Sequence, residues 1–253
     1  MKKILKITGI VLLSLLLILL ILPFAFKGKV AGIIQEQANK NLQAKVAFSD
    51  LSLSFFKNFP KVTASLENLT IAGVDAFEGD TLLSAKEISV AVNLTSLFSD
   101  EGISVKRIEL VSPKILAKVL ADGRANWDIT KPDSLPEKED ESSFVMQLED
   151  VEIINGYVTY IDEEGGMTAK LADWNGNFNG DLSAAKSVLK TKSVVTSLSY
   201  SMGKLPVLVD VKLEGDMEIQ ADMNTSTYTF LNNKLKLNAV EASLDGWVQM
   251  PDT

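Results

Sequence analysis

From Lys45 onward, apolar and polar side chains alternate with a period of two. The stretch "EISVAVNL" sets Ile88, Val90, Val92 and Leu94 against Ser89, Ala91 and Asn93, and "KILAKVL" lines up Ile115, Ala117 and Val119. "VLVDVKLEG" places Val207, Val209, Val211 and Leu213 opposite Leu208, Asp210 and Lys212, and "KLKLNAV" aligns Leu235 and Leu237. Alternation of this kind marks strands with one face in apolar surroundings. Turn formers punctuate the runs at Asp122-Gly123, Asn155-Gly156, Gly165-Gly166, Asn179-Gly180 and Asp245-Gly246. The pattern predicts about a dozen short strands in a mainly β, antiparallel body. In "SLENLTI" and "VKRIEL" the phase slips by one residue, which calls for a bulge in each and hence a curled sheet.

Upstream the period is different. Residues 7–26 carry no charge and are flanked by Lys2, Lys3, Lys6, Lys27 and Lys29. A helix of that length spans about 30 Å, the thickness of a hydrocarbon core. The apolar run is longer than the core of a secretory signal, and no A-x-A cleavage site comes after it. An uncleaved single-pass anchor is therefore expected, with Ile7, Ile10, Leu13, Leu17, Leu20 and Phe26 in the bilayer. Three preceding lysines favour a cytoplasmic N-terminus. Residues 30–44 repeat Val30, Ile33, Ile34, Ala38 and Leu42 at helical spacing, which predicts a short amphipathic helix resting on the β body.

The 253 residues contain neither cysteine nor histidine, which excludes disulfide frameworks, thiolate nucleophiles, Ser-His-Asp triads and His- or Cys-ligated metals. Five of the 25 basic residues lie before residue 30, leaving 20 against 33 acids and a formal charge of −13 on the remainder. So acidic a body argues against nucleic acid or an anionic lipid surface as a partner. Residues 131–143, "KPDSLPEKEDESS", cannot bury enough apolar area to fold on their own and are expected to be a linker. The chain then divides into an anchor (1–29), a helix (30–44), a first β unit (45–130), the acidic linker and a second β unit (144–253).

A half-apolar sheet must hide its apolar face. Two solutions fit: a closed β-sandwich, or a curled sheet whose concave side holds lipid. Periodicity alone leaves both open. For chemistry, the paired acids Asp162-Glu163-Glu164 are the one cluster suited to glycoside hydrolysis, but they sit beside Gly165-Gly166 as an exposed hairpin tip would. Nucleotide-binding and nucleophile-elbow motifs are absent from the sequence. No enzyme activity, metal or cofactor is expected. Gly123, Trp127 and Gly156 are read as structural turn positions, with Trp127 packed over the end of the first β unit.

Several stretches in order resemble the N-terminal region of the AsmA family of Gram-negative envelope proteins. They are the basic start and apolar helix, "NKNLQAKVAFSDLSLSFFKNFP", "VTASLENLTI", "LLSAKEISVAVNLTSLF" and "ISVKRIELVSPKILAKVLADGRANWDI". After the acidic segment, "LEDVEIINGYVTYID" is similar to the family's second hairpin. The resemblance implies an inner-membrane protein whose periplasmic part is a curled β-groove related to bridge-like lipid-transfer proteins. It implies phospholipid or another diacyl lipid as ligand and a part in outer-membrane and envelope biogenesis. The groove would be lined by Ile88, Val90, Val92, Leu94, Ile115, Ala117, Val119, Val207, Val209, Val211, Leu213, Leu235 and Leu237. The competing expectation is an anchored assembly scaffold acting through other envelope proteins without lipid. Because family members run further, the chain reads as the N-terminal part of a longer groove.

Overall fold

A computed structural model describes residues 27–28, 31–32, 34–58, 61–93, 104–131, 145–181 and 184–250. The strands are β1 (Lys45–Ala47), β2 (Asp50–Asn58), β3 (Lys61–Ala72), β4 (Thr81–Asn93), β5 (Ser104–Val111), β6 (Lys114–Val119), β7 (Val145–Asp162), β8 (Met167–Asn179), β9 (Lys186–Met202), β10 (Leu205–Asp222), β11 (Thr227–Leu237) and β12 (Val240–Gln249). All belong to one sheet in the order β1-β3-β4-β5-β7-β8-β9-β10-β11-β12, with β2 also on β3 and β6 between β4 and β7. No second sheet lies among the described residues.

The sheet is mixed, which corrects the antiparallel expectation. β7 runs parallel to both β5 and β6. Parallel neighbours cannot be joined by a tight turn and need a crossover of a dozen residues or more. The chain from Val119 to Val145 makes that connection, and its acidic residues 132–144 lie outside the described residues. Periodicity reports that a segment is a strand, not which way it runs.

The predicted phase slips are present. Asn68 in β3 is left-handed (φ 50°), and the register breaks between Val105 and Arg107. They belong to a longer seam of left-handed, non-glycine residues: Asn68 in β3, Ser112 between β5 and β6, Asn155 in β7, Asp173 in β8 and Asp210 in β10. Asn and Asp tolerate this conformation best, because their short polar side chains bond locally. Asp173 accepts from the Tyr157 hydroxyl, and Asp210 Oδ1 accepts from Ser197 Oγ at 2.8 Å. Each extra residue resets the alternation, so apolar residues three apart, such as Leu66 and Leu69, share a face. Asn155-Gly156 is thus inside β7 and not a hairpin turn. Asp245-Gly246 is likewise inside β12, where the Asp245 carboxylate accepts the Asn232 amide at a bulge in β11. Asp122-Gly123 and Gly165-Gly166 do form turns, with Gly123 at φ 81° and Gly166 at φ 62°.

Residues 34–41 are helical, within the predicted 30–44 span. Among the described residues no helix is long and apolar enough to cross a membrane, and the anchor positions Ile7, Ile10, Leu13, Leu17, Leu20 and Phe26 lie outside them.

Candidate functional site

Register defines the two faces of the sheet, because cross-strand partners project to the same side. One row runs Leu51, Leu66, Ile88, Leu110, Ile153, Gly176, Ser193, Gly215, Leu235, Ala242 across ten strands without a charge. A second runs Leu53, Ala64, Val90, Ile108, Val151, Phe178, Thr191, Met217. Beyond the seam, Ile71, Leu83, Ile115, Val158, Leu171, Leu198 and Val211 make a third. In β10, Val211 and Leu213 are two residues apart, so the third row shares the face of the other two.

Most of this face is only half-buried. Leu51 and Val195 are sealed at 1% exposure, whereas Leu53, Leu66, Ile88, Val90, Ile108, Leu110 and Val151 are intermediate. At the centre of the first row Gly176 and Gly215 carry no side chain. A Cβ on Gly176 would meet the Trp174 ring nitrogen at 2.9 Å and Phe178 at 3.3 Å, and one on Gly215 would meet open space out to Leu235 at 3.9 Å. Trp174 and Phe178 pack edge to face over Gly176 (centroids 6.0 Å apart), and the indole N–H donates to Ser193 Oγ.

The opposite face is charged. Its central row is Ser52, Ser65, Ser89, Glu109, Glu152, Asn177, Lys192, Asp216, Lys234, Ser243. Arg107 bonds Asp150 and Glu152, and Lys57 Nζ reaches Glu87 (3.1 Å), Ser89 (3.1 Å) and Glu109 (3.0 Å). Burial opposes the charge on Lys57, but Glu109 and Glu87 outweigh it and hold its pKa above the ordinary value. Glu87 is held below the carboxylate range by the Ser89 hydroxyl and then by Lys57.

Of the predicted lining residues, Ile88, Val90, Val92, Ile115, Ala117, Val119, Val211, Leu213, Leu235 and Leu237 project to the apolar face. Leu94 lies outside the described residues. Val209 does not join them: the left-handed Asp210 shifts the register, Leu208 pairs with Tyr200, and Val209 is 63% exposed, while Val207 sits at a second register shift between Pro206 and Leu208. The predicted lining leaves out Leu51, Leu66, Ile108, Leu110, Val151, Ile153 and Val195. Leu66, Ile108 and Leu110 lie in the two runs marked by a phase slip, and reading each run against its neighbours' phase would find all seven.

The stretch around Trp127 is built for support. Asn126 is buried; its Nδ2 donates to the Leu116 carbonyl (2.6 Å) and its Oδ1 accepts the Lys118 amide (2.9 Å), so it substitutes for a strand along the open edge of β6. Trp127 leans on Tyr160 of β7 (centroids 6.3 Å). Asp162 caps its own turn by accepting the Gly165 amide at 2.7 Å, and Glu163 pairs with Lys118 at 3.3 Å.

A model of the AsmA family matches residues 1–246, nearly the whole chain. The chain belongs to the AsmA family. No curated protein and no solved structure matches it. Membership agrees with a mainly β body and points to a lipid-related role in envelope biogenesis.

Proposed function

We propose that this AsmA-family chain binds a diacyl phospholipid along the apolar face of a curled, groove-like sheet and assists its passive movement between envelope membranes. In this reading residues 7–26 anchor it in the bacterial inner membrane, with the N-terminus cytoplasmic and the strands in the periplasm. The observation that carries the proposal is the set of uncharged rows crossing the sheet, half-exposed and without a second described layer over them. Acyl chains lie against those rows at about 0.8 kcal/mol per methylene removed from water, while headgroups stay wet at the rim. Spreading that gain evenly over successive strands lets a chain slide without falling into a deep trap. The open space over Gly215 gives it room at mid-groove.

Native mass spectrometry of the full chain, released from detergent, tests this. The expected result is added mass matching phospholipid. Leu235→Asp, on the apolar face, should lower occupancy several-fold, while Lys234→Asp, its neighbour on the charged face, should leave it unchanged. Lipid-free protein, or equal effects of the two substitutions, would reject the groove and favour a scaffold acting through other envelope proteins.

A further inference from the structure

Two loops of the first β unit enclose a cavity of about 650 Å³. One is residues 73–77, between β3 and β4; the other is residues 122–129, which follow β6. Gln43 ties them together: its backbone amide donates to the Ile129 carbonyl at 2.6 Å, and its side chain donates to Asp75 at 2.9 Å. Ligand sites commonly enclose about 300–1,000 Å³, so the size is that of a small-molecule or headgroup site. One wall is Trp127, whose side chain stays 46% exposed although it leans on Tyr160.

Trp127 is also where the cavity meets the apolar face. Tyr160 stands two residues beyond Val158 in β7 and so shares its face, in a cross-strand row with Ala117, Ala169, Tyr200 and Leu208. Tryptophan and tyrosine suit a place where apolar surface gives way to water. A lipid whose chains lie on this face brings its headgroup to that rim.

Charge decides which headgroup fits. The lining carries three aspartates and one arginine. Asp122 and Arg124 pair with each other at 2.6 Å. Among the described residues, Asp75 bonds only the neutral Gln43 amide through its side chain, and no ion pair reaches Asp128. Two carboxylates are thus left without a cation, beside an indole whose ring face attracts one. Both features repel an anion and favour an ammonium group. Residues 132–144, which come next in the chain, carry five acids and one lysine, so charge repulsion opposes their filling the cavity.

We propose that this cavity holds the ammonium end of a zwitterionic phospholipid whose acyl chains lie on the apolar face. The inference rests on the groove reading above and adds a headgroup preference to it: a headgroup bearing an amine is retained over a wholly anionic one. Asp75 and Asp128 hold the ammonium group against Trp127. Arg124 bonds Asp122 through Nε and Nη2, which leaves Nη1 to donate to the phosphate.

The test is a competition on the full chain in detergent, read by native mass spectrometry. The chain is offered equal amounts of phosphatidylethanolamine and phosphatidylglycerol with the same acyl chains. The ethanolamine lipid should be retained about fivefold over the glycerol lipid. In the double variant Asp75→Asn with Asp128→Asn the ratio should fall to near one. Asparagine keeps the shape of aspartate and tolerates the left-handed backbone at residue 75 (φ 53°), so the loop stays folded, with circular dichroism as the check. Soluble phosphoethanolamine, the headgroup without chains, separates the cavity from the groove. Saturation-transfer NMR should detect it on the parent and several-fold more weakly on the double variant. Equal uptake of the two lipids, or a preference that survives the double variant, overturns the headgroup site and leaves the groove standing. Uptake of neither lipid rejects the groove and the lipid source together, and phosphoethanolamine bound in that case marks the cavity as a site for a soluble amine.

Discussion

Val90 and Ala91 are consecutive residues of β4 in opposite conditions. Ala91, on the charged face, is 1% exposed, whereas Val90, on the apolar face, is only half-buried. Along the same strand pair Thr63, Ser65 and Ser89 of the charged face are buried, and on the apolar face Leu66 and Ile88 are half-buried while Val62, Leu69 and Ala85 are buried. In most half-buried sheets the apolar face is sealed and the polar face is wet. Here Lys57 reaches over Ser89 to Glu87 and Glu109, so the charged face helps to cover itself with its own side chains. The apolar face has no equivalent among the described residues. The sheet thus buries side chains on both faces, and its apolar face keeps a half-exposed stretch between the sealed positions Leu51, Ile153 and Val195.

The contrast depends on the left-handed seam, and the largest effect should come from breaking it. β7 is the hub of the sheet, paired with β5, β6 and β8. Deleting Asn155 would turn one half of β7 over, sending Val158 and Tyr160 to the charged face or Val151 and Ile153 away from the apolar one. Cooperative unfolding should be lost, a cost beyond about 4 kcal/mol. Asn155→Gly keeps the extra residue and relieves the left-handed backbone, so it should be neutral or stabilising by up to about 1 kcal/mol. Thermal melts of the two variants give the answer. A deletion that melts like the parent would mean that the seam does not set the faces.

A smaller effect separates the faces at adjacent residues of β9. Val195 is 1% exposed on the apolar face, and Val194 is 41% exposed on the other. Val195→Ala opens a cavity and should cost about 2 kcal/mol, while Val194→Ala should stay within about 0.5 kcal/mol. Urea denaturation distinguishes them, and equal costs would contradict the assignment of faces.

How far the sequence goes can be judged at the same residues. The alternation at Ile88, Val90 and Val92 places that face correctly, and the slip in "SLENLTI" falls at the left-handed Asn68. The same rule fails at Val209, because Asp210 takes a left-handed backbone that a single strand's pattern does not announce. Asn155-Gly156 and Asp245-Gly246 carry turn chemistry, yet the first inserts a residue inside β7 and the second lies inside β12 opposite the bulge at Asn232 of β11. A turn former and a bulge former are the same residue; the pairing available on the neighbouring strands decides between them. The parallel run of β7 is not legible for a related reason, since direction is fixed by the crossover and not by the strand.

The smallest expected effect concerns what holds the charged face closed. Glu87 has its pKa lowered chiefly by the Ser89 hydroxyl, which donates at 2.7 Å, and secondarily by Lys57. A carboxylate depressed by folding contributes stability that is fully present above its unfolded value, about 4.3, and is lost as the pH falls through the folded value. Stability should therefore be flat from neutral pH down to about 5 and decline in acid. Lys57 works in the other direction: its raised pKa contributes fully below the ordinary lysine value and is lost only as the solution turns strongly alkaline. Carboxyl NMR should show the Glu87 titration moving upward in both Ser89→Ala and Lys57→Met, and further in Ser89→Ala. The stability loss in Lys57→Met should stay within about 1 kcal/mol, since partly exposed pairs rarely exceed that. The reverse order of shifts would mean that the lysine, and not the buried hydroxyl row, keeps Glu87 ionised and the face closed.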